Sequence, residues 1–381
     1  MSLALGSLWT WFRKNRQDAA AALRSERLTC AFLPVFLLGM ATQAWSAEPL
    51  PEYLKKIKDA YFKDAGPKVP VCVIADRGPG ISVEKVDLRL DQFLEAILSN
   101  LRNEDHKRFQ EMFHSRAKAP HDIGEKIFAN IKNTYEKPWQ FSVYRLWALY
   151  DAEASKEHIP CPGDEGVTLT TRYGYPLQFG LWLQVMGQNE LGRIFVAVVP
   201  DRSGAWKIGG WHFQQWTHQG KDFSQLVQEA LAAEKNKDII TAYVKLDVAQ
   251  KMLFGGEFVT YSIKDQILSH RASVLTPEDW LQRVKNVTKN PELVYAGTAL
   301  GKDGIGYLLR QRIPGELTVE DLRKKCNYLA SNLKEAKWIH EQTGGLKCEF
   351  LMPGEPLERE GKLGGFYLTR QDILGTKTVK K

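Results

Sequence analysis

Residues 139–218 alternate between apolar and polar side chains, a pattern that predicts long antiparallel strands with one buried face. From residue 177 to residue 186 the alternation separates two sets of side chains. One face of this strand carries Leu177, Phe179, Leu181, Leu183 and Val185, and the other carries Gln178, Trp182, Gln184 and Met186. Turn residues at 187–189 and 201–204 connect it to two further strands, the last of which runs from Trp206 to His218.

Upstream of these strands, apolar residues recur at three- and four-residue steps, which predicts helices. The three stripes are Phe93, Leu94, Ile97, Leu98 and Leu101, then Phe109, Met112 and Phe113, then Ile123, Ile127, Phe128 and Ile131. Pro138 is expected to end the third helix, because the residue before a proline is pushed out of helical geometry. A further short helix is predicted at 48–61 and a strand at 69–74.

After the strands, the apolar pattern becomes helical again over residues 223–254, with a charged break at 234–238. We interpret residues 223–256 as a helical linker and residues 257–381 as a smaller α+β domain. In the latter, Thr276-Pro277 starts a helix, an Asp-Gly turn at 303–304 joins two hairpin strands, and a helix over 319–342 precedes a strand at 348–352 and another at 366–369. The predicted fold class is therefore α+β, with a first domain over residues 48–222.

The first 47 residues have the order of a secretory signal peptide. Basic residues precede an apolar run from Leu28 to Met40, and small residues follow around Ala44 and Ala47. The apolar run is short for a membrane span, which needs about 20 residues. Either a leader cleaved near Glu48 or an uncleaved N-terminal anchor fits this pattern. The expected location is the periplasm or the extracellular space, with membrane contact only through an uncleaved leader.

Four cysteines remain after the leader: Cys72, Cys161, Cys326 and Cys348. An even number in an exported chain indicates disulfides, and four cysteines allow three connectivities. We favour Cys72–Cys161 and Cys326–Cys348, because each pair then lies within one predicted domain. The alternative is a metal site, but no close Cys/Cys or Cys/His spacing supports one, so no metal or other cofactor is expected.

The charge and composition of the chain limit the classes of partner that we expect. The formal net charge is +7 over 381 residues, and residues 1–46 supply +3 of it through five basic and two acidic side chains. The remaining +4 is a weak basic excess, and no arginine-rich stripe accompanies it. A nucleic-acid partner is therefore not expected. The length favours two folded domains.

Residues 85–220 combine successive helices with an aromatic-rich antiparallel sheet that ends in the strand Gly204-Ala205-Trp206-Lys207-Ile208. This order resembles the cone-shaped fold of the nuclear transport factor and ketosteroid isomerase superfamily. The resemblance rests on element order rather than on a specific motif, so it concerns the fold. It implies a curved sheet that wraps the helices and leaves a deep pocket. Members of that superfamily include small enzymes, ligand carriers and assembly subunits of secretion machines, and many dimerise through the open face of the sheet.

Strict alternation predicts which side chains of the outer strands face such a pocket. In the last strand one face carries Trp206, Ile208, Gly210, His212, Gln214, Trp216 and His218, and the other carries Trp211, Phe213 and Gln215. In the strand over 140–151, Arg145, Trp147 and Asp151 share one face, opposite Tyr144 and Tyr150. The candidate pocket residues are Tyr144, Arg145, Trp147, Trp182, Gln184, His212, Gln214 and Trp216.

Two functions fit this pattern. The first is a non-enzymatic, exported binding or assembly module of a bacterial cell envelope, which binds an envelope protein or a small apolar ligand and forms a homodimer through exposed Trp211 and Trp216. The second is an isomerase, hydratase or hydrolase-like enzyme with His212 or Asp151 as acid/base. No matched Asp/Tyr pair identifies a catalytic site. A third interpretation is purely structural: His212 and the glutamines lie on a solvent or dimer face while the tryptophans cover one another.

Overall fold

A computed structural model describes the protein over residues 52–62, 70–75, 88–117, 122–163, 166–172, 174–301, 304–315, 317–338, 343–357 and 363–375. The predicted leader over residues 1–47 lies outside these residues. The structure confirms an α+β protein whose sheets are open and mainly antiparallel.

The helices alternate with three groups of strands. The helices are α1 (Glu52–Phe62), α2 (Leu88–Arg102), α3 (His106–Glu111), α4 (Ile123–Thr134), α5 (Phe223–Lys235), α6 (Ile239–Met252), α7 (Ser262–Val274), α8 (Pro277–Thr288), α9 (Val319–Glu335) and α10 (Arg370–Gly375). The strands are β1 (Val71–Ile74), β2 (Gln140–Tyr150), β3 (His158–Pro160), β4 (Val167–Thr170), β5 (Leu177–Met186), β6 (Leu191–Pro200), β7 (Trp206–Gln215), β8 (Val259–Tyr261), β9 (Leu293–Gly301), β10 (Gly304–Arg312), β11 (Thr343–Leu351) and β12 (Gly365–Leu368).

The largest sheet has five antiparallel strands in the order β1-β2-β5-β6-β7. One of its faces packs against helices α2, α3 and α4, and their apolar stripes meet the inward side chains of the strands in one buried cluster. All five residues assigned to the inner face of β5 lie in this cluster, from Leu177 to Val185. Simple alternation therefore predicts the central strand correctly.

Two β-bulges overturn the alternation in the flanking strands. In β2, Val143 pairs with Leu183 and Arg145 with Trp182, so Tyr144 is an extra residue. A bulge residue shifts the two-residue period by one position. Tyr144 consequently joins Trp147 on the outer face, and our placement of these two side chains on opposite faces is wrong.

The second bulge lies in β7, where Gly209 is left between the pairs Ile208–Val198 and Gly210–Ala197. Before the bulge, Trp206 and Ile208 contribute to the inner cluster, and after it the inward side chains have the opposite parity. The predicted grouping of Trp206 with His212 and Trp216 on one face is therefore wrong. The part of the grouping that follows Gly209, which includes His212 and Trp216, is correct.

The outer face of the same sheet is covered by later parts of the chain. Helices α5 and α6 and strands β4 and β8 pack against it in a second buried cluster, which includes Leu226, Leu246 and Tyr261. Helix α6 is buried on several sides, since Tyr243 belongs instead to the cluster of the C-terminal sheet. The segment that we interpreted as a linker thus supplies side chains to two cores.

The C-terminal sheet has the order β12-β11-β10-β9, with β9 and β10 as the predicted hairpin. Strand β11 lies parallel to β10, and helix α9 makes the connection between them. Thr276 and Thr318 cap helices α8 and α9 by accepting hydrogen bonds from the backbone N–H groups of Asp279 and Asp321. Helix α7 has no counterpart in our predictions, because its apolar positions are sparse and only Ile267 is buried among its described side chains.

A buried carboxylate joins α6 to α7 and to the C-terminal sheet. Asp247 is 3% exposed and accepts hydrogen bonds from Arg271 and, at 2.6 Å, from the hydroxyl of Thr298 on β9. The ammonium group of Lys251 lies 2.8 Å from the same carboxylate. These positive charges and hydrogen bonds hold the pKa of Asp247 below its usual value, even though its burial acts in the opposite direction.

Both favoured cysteine pairings are confirmed. Cys72 on β1 is bonded to Cys161, just after β3, and their Cα atoms are 5.1 Å apart. Cys326 on α9 is bonded to Cys348 on β11, with 5.8 Å between the Cα atoms. All four side chains are buried. Each disulfide therefore ties two elements of one core together.

Within the residues described, no helix is both long enough and apolar enough to cross a membrane.

Candidate functional site

The candidate pocket residues meet at the outer face of the five-stranded sheet. Trp182 on β5 is at the centre of a cluster of rings, and it is 1% exposed. Four rings lie within 6.3 Å of it, measured between centroids: those of Tyr144, Trp147, Trp216 and Tyr261. We call Trp182, these four residues and Arg193 the aromatic cluster.

Arg193 on β6 occupies the space between these rings. Its guanidinium carbon lies 3.3 Å from the ring centroid of Trp216, 4.3 Å from that of Tyr144 and 4.7 Å from that of Trp182. Arg193 is 4% exposed, so these cation–π contacts form away from water, where each contributes on the order of 1–2 kcal/mol. The sequence analysis missed this residue. Its position in an alternating apolar strand, on the face opposite to Ile194 and Val196, was the available signal.

Two of the predicted polar residues form hydrogen bonds from β7 to the end of α6 and to the segment that follows it. Gln214 is 5% exposed, donates a hydrogen bond to the carbonyl of Met252 and accepts one of 2.8 Å from the hydroxyl of Tyr261. His212 places its Nε2 2.8 Å from the carbonyl oxygen of Phe254. A carbonyl can only accept, so Nε2 carries the proton. Both side chains therefore join elements of the fold together.

The remaining candidates occupy less central positions. Trp147 is 2% exposed and donates from its Nε1 to the carbonyl of Pro162 at 2.9 Å. Gln184 is half-buried and pairs in register with Arg193, while Arg145 is half-buried beside the bulge. Asp151 follows β2 and accepts hydrogen bonds from the backbone of Glu153 and the hydroxyl of Ser155, as a turn residue does.

The tryptophans expected on an exposed sheet face are not exposed. Trp216 is 6% exposed within the aromatic cluster, and Trp211 is half-buried on the opposite face, where its ring contacts Phe109 edge-on at 5.2 Å. The face that was to serve as a dimer interface is covered by this chain's own α5, α6 and β8. The part of the third interpretation in which tryptophans cover one another matches the observed packing of Trp147, Trp182 and Trp216. Its placement of the glutamines on a solvent or dimer face is wrong for Gln214, which is buried and hydrogen-bonded within this chain.

Three histidines of the sheet region are kept neutral by burial. Desolvation is the largest cause of the lowered pKa at His114, His212 and His218. At His218 the charge of Glu190 acts in the opposite direction, and at His114 the nearby Arg116 adds to the lowering. The Nδ1 of His114 accepts a hydrogen bond of 3.0 Å from the backbone N–H of Arg116, which also fits the neutral ring.

We therefore expect acid to destabilise the fold below about pH 6.5, the pKa of an unperturbed histidine. In that range the unfolded chain binds protons that the folded chain does not, so stability falls as the pH falls. At pH 5.5 each histidine that stays neutral in the folded protein lowers the free energy of unfolding by at most about 1.4 kcal/mol. Urea unfolding at pH 7.5 and 5.5 measures the loss. His218→Gln should reduce it, and an unchanged pH dependence in that variant would contradict this cause.

The described residues contain no group of three or more His, Cys, Asp or Glu side chains placed to hold a metal ion. Comparisons with protein-family models, with curated proteins and with solved structures found no match to this chain.

Proposed function

We propose that this protein is exported and acts as a non-enzymatic binding or assembly module of a bacterial cell envelope. The observation that carries the proposal is the pair of buried disulfides, Cys72–Cys161 and Cys326–Cys348. Disulfides of this structural kind form and persist in oxidising compartments, such as the periplasm. The signal-peptide pattern of the first 47 residues leads to the same compartment.

The packing at the candidate site supports the non-enzymatic part. A small-molecule site needs open, concave space with a few convergent polar groups. Here Arg193 fills the space between the rings of the aromatic cluster, and His212 and Gln214 are engaged with backbone carbonyls of this chain. The side chains that would recognise or polarise a substrate are therefore used to hold the fold together.

We also infer that residues 85–220 curve into the cone of the superfamily that they resemble. The order of α2, α3 and α4 before the sheet supports this inference, as do the bulges at Tyr144 and Gly209, because a bulge bends its strand and increases the local twist. In such a cone the pocket would lie between the helices and the sheet. That space holds Phe109, Phe179 and Leu181, each at most 1% exposed.

Native mass spectrometry of protein recovered from an exporting bacterial host tests the proposal. We expect a chain that begins near Glu48, has a mass about 4 Da below that of the reduced chain because each disulfide removes two hydrogens, and carries no small-molecule adduct. The control is the same chain without residues 1–47, produced in the cytosol. Its cysteines should stay reduced, so its mass should be about 4 Da above that of the exported chain.

Two outcomes would count against the proposal. Recovery of the full, reduced chain from the cytosol of the exporting host would remove the basis for export. A stoichiometric adduct on the order of a few hundred daltons would favour the enzyme or carrier alternative, since a pocket that retains its ligand must be open to it.

A further inference from the structure

A cleft lined by charged and amide-bearing side chains lies in the C-terminal part of the chain, away from the aromatic cluster. It has a volume of about 350 Å³ and opens between the end of α8, the end of β10 and the middle of α9. That volume falls within the range of small-molecule sites. Three lysines line it, Lys289, Lys324 and Lys325, together with a single carboxylate, that of Glu292. Its lining therefore carries a net positive charge.

The single carboxylate is already neutralised. Glu292 accepts a hydrogen bond from the amide of Gln311, and the ammonium group of Lys325 lies 3.4 Å from it. By contrast, Lys289 and Lys324 are exposed and form no ion pair with any residue that the structure describes. The charge of Lys324 interacts with the carboxylate of Asp321 on the same helix, so the positive charge at the cleft is only partly balanced and would attract an anion.

The floor of the cleft is built from buried amides. Asn290 is 9% exposed and Gln311 is 2% exposed. The Oδ1 of Asn290 accepts a hydrogen bond of 2.9 Å from the backbone N–H of Glu292, which fixes the orientation of the amide. Its Nδ2 donates to the Oε1 of Gln311 at 3.1 Å. Each of these NH₂ groups has two hydrogens, and within the described part of the chain one of the two is used.

The secondary structure around the cleft directs these groups toward one another. Lys289 ends α8 with a positive φ of 53°, and the chain then turns directly into Asn290. A register shift between Arg310 and Gln311 interrupts the β9–β10 pairing at the cleft, and bulges of this kind redirect side chains beside binding sites. On α9, Lys324 and Tyr328 are four residues apart and therefore share a helical face, so an aromatic ring lies next to a positive charge.

A structural role explains part of this arrangement, because a lysine near the end of α8 interacts favourably with the helix dipole. The interaction with Asp321 likewise gives Lys324, in the middle of α9, part of a structural role, but neither effect explains the buried Asn290–Gln311 floor. We infer that the cleft is a binding site for a small ligand with two or more closely spaced anionic oxygens, either phosphate or carboxylate groups. This inference does not depend on the proposed export or on the aromatic cluster.

Isothermal titration calorimetry with the oxidised, purified protein tests the inference. Sodium pyrophosphate represents the phosphorylated class of ligand, and citrate represents the polycarboxylates. The cleft variant is Lys289→Gln with Lys324→Gln, and the matched control is Lys107→Gln with Lys237→Gln, two exposed lysines outside the cleft. Lys237 also follows a helix with a positive φ, as Lys289 does. The control therefore removes the same charge in a comparable setting.

We expect at least one probe to bind, and its dissociation constant to rise about tenfold or more in the cleft variant, as the loss of two favourable charges predicts. The control should stay within about twofold of the unaltered protein. Glu292→Gln should tighten binding, because it removes the one negative charge of the lining. The probe that binds more tightly identifies the ligand class. Equal constants in the cleft and control variants, or no binding of either probe at about 10 mM, would overturn the inference.

Discussion

Replacing Cys72 and Cys161 by serine should lower the free energy of unfolding by about 4.6 kcal/mol. The two cysteines are 89 positions apart, so the disulfide restricts a long loop in the unfolded chain. In the folded chain it ties β1, a strand of four residues at the edge of the sheet, to the segment after β3. Chemical denaturation of the oxidised proteins measures the change.

The second disulfide provides the matched control. Cys326 and Cys348 are 22 positions apart, and their replacement by serine should cost about 3.4 kcal/mol on the same chain-entropy model. The expected order, with the longer loop costing more, tests whether the restriction of the unfolded chain sets the effect. If loss of the disulfide that closes the shorter loop cost more, then packing around Cys326, which is fully buried, would set the size of the effect instead.

Trp182→Ala should destabilise the protein by about 4 kcal/mol, in the range for a large aromatic side chain lost from a core. Trp182 is 1% exposed and its ring is the common neighbour of Tyr144, Trp147, Trp216 and Tyr261. Its removal also takes away one of the rings against Arg193, so a buried charge loses part of its surroundings. Urea unfolding measures the loss, and near-ultraviolet circular dichroism reports the repacking of the rings.

Two control variants separate this explanation from a general sensitivity of the sheet. Trp182→Phe keeps a ring in place. The indole N–H of Trp182 has no hydrogen-bond partner among the described residues, so this substitution loses little polar contact. We expect it to cost clearly less than the alanine variant. Phe254→Ala removes a ring that is 56% exposed and should cost less than about 1 kcal/mol. A similar loss in all three variants would contradict the central role of Trp182.

Local patterns in the sequence were sufficient for most individual elements. The break between α5 and α6, the start of α8 at Thr276 and the β9–β10 hairpin follow from charge runs, capping residues and an Asp-Gly turn, which act over a few residues. The three-stranded β3-β4-β8 sheet has no such signal. Its strands are short, and β8 pairs with β4 across about 90 residues of chain, a contact that local patterns do not record.

The candidate site was predictable as a set of residues but not as an environment. Trp147, Trp182, Gln214 and Trp216 do lie together on one face, as alternation indicates. The bulges at Tyr144 and Gly209 changed the parity of two strands, and a bulge depends on pairing with the neighbouring strand rather than on the local sequence. Burial of the site also depended on residues far along the chain, such as Tyr261 and Met252.

By itself, the sequence determined the α+β class and the central strand with its two faces, and it favoured, among three connectivities, the cysteine pairing that the structure confirms. The first two follow from periodicity and the third from the positions of the cysteines along the chain, which are properties of the chain alone. Only the tertiary structure decided that α5 and α6 cover the outer face, that Arg193 fills the space between the rings, and that Lys289, Gln311 and Lys324 surround one cleft. The physical reason is that burial and the approach of charged groups depend on contacts between distant segments, which form when the apolar faces of separate elements pack together.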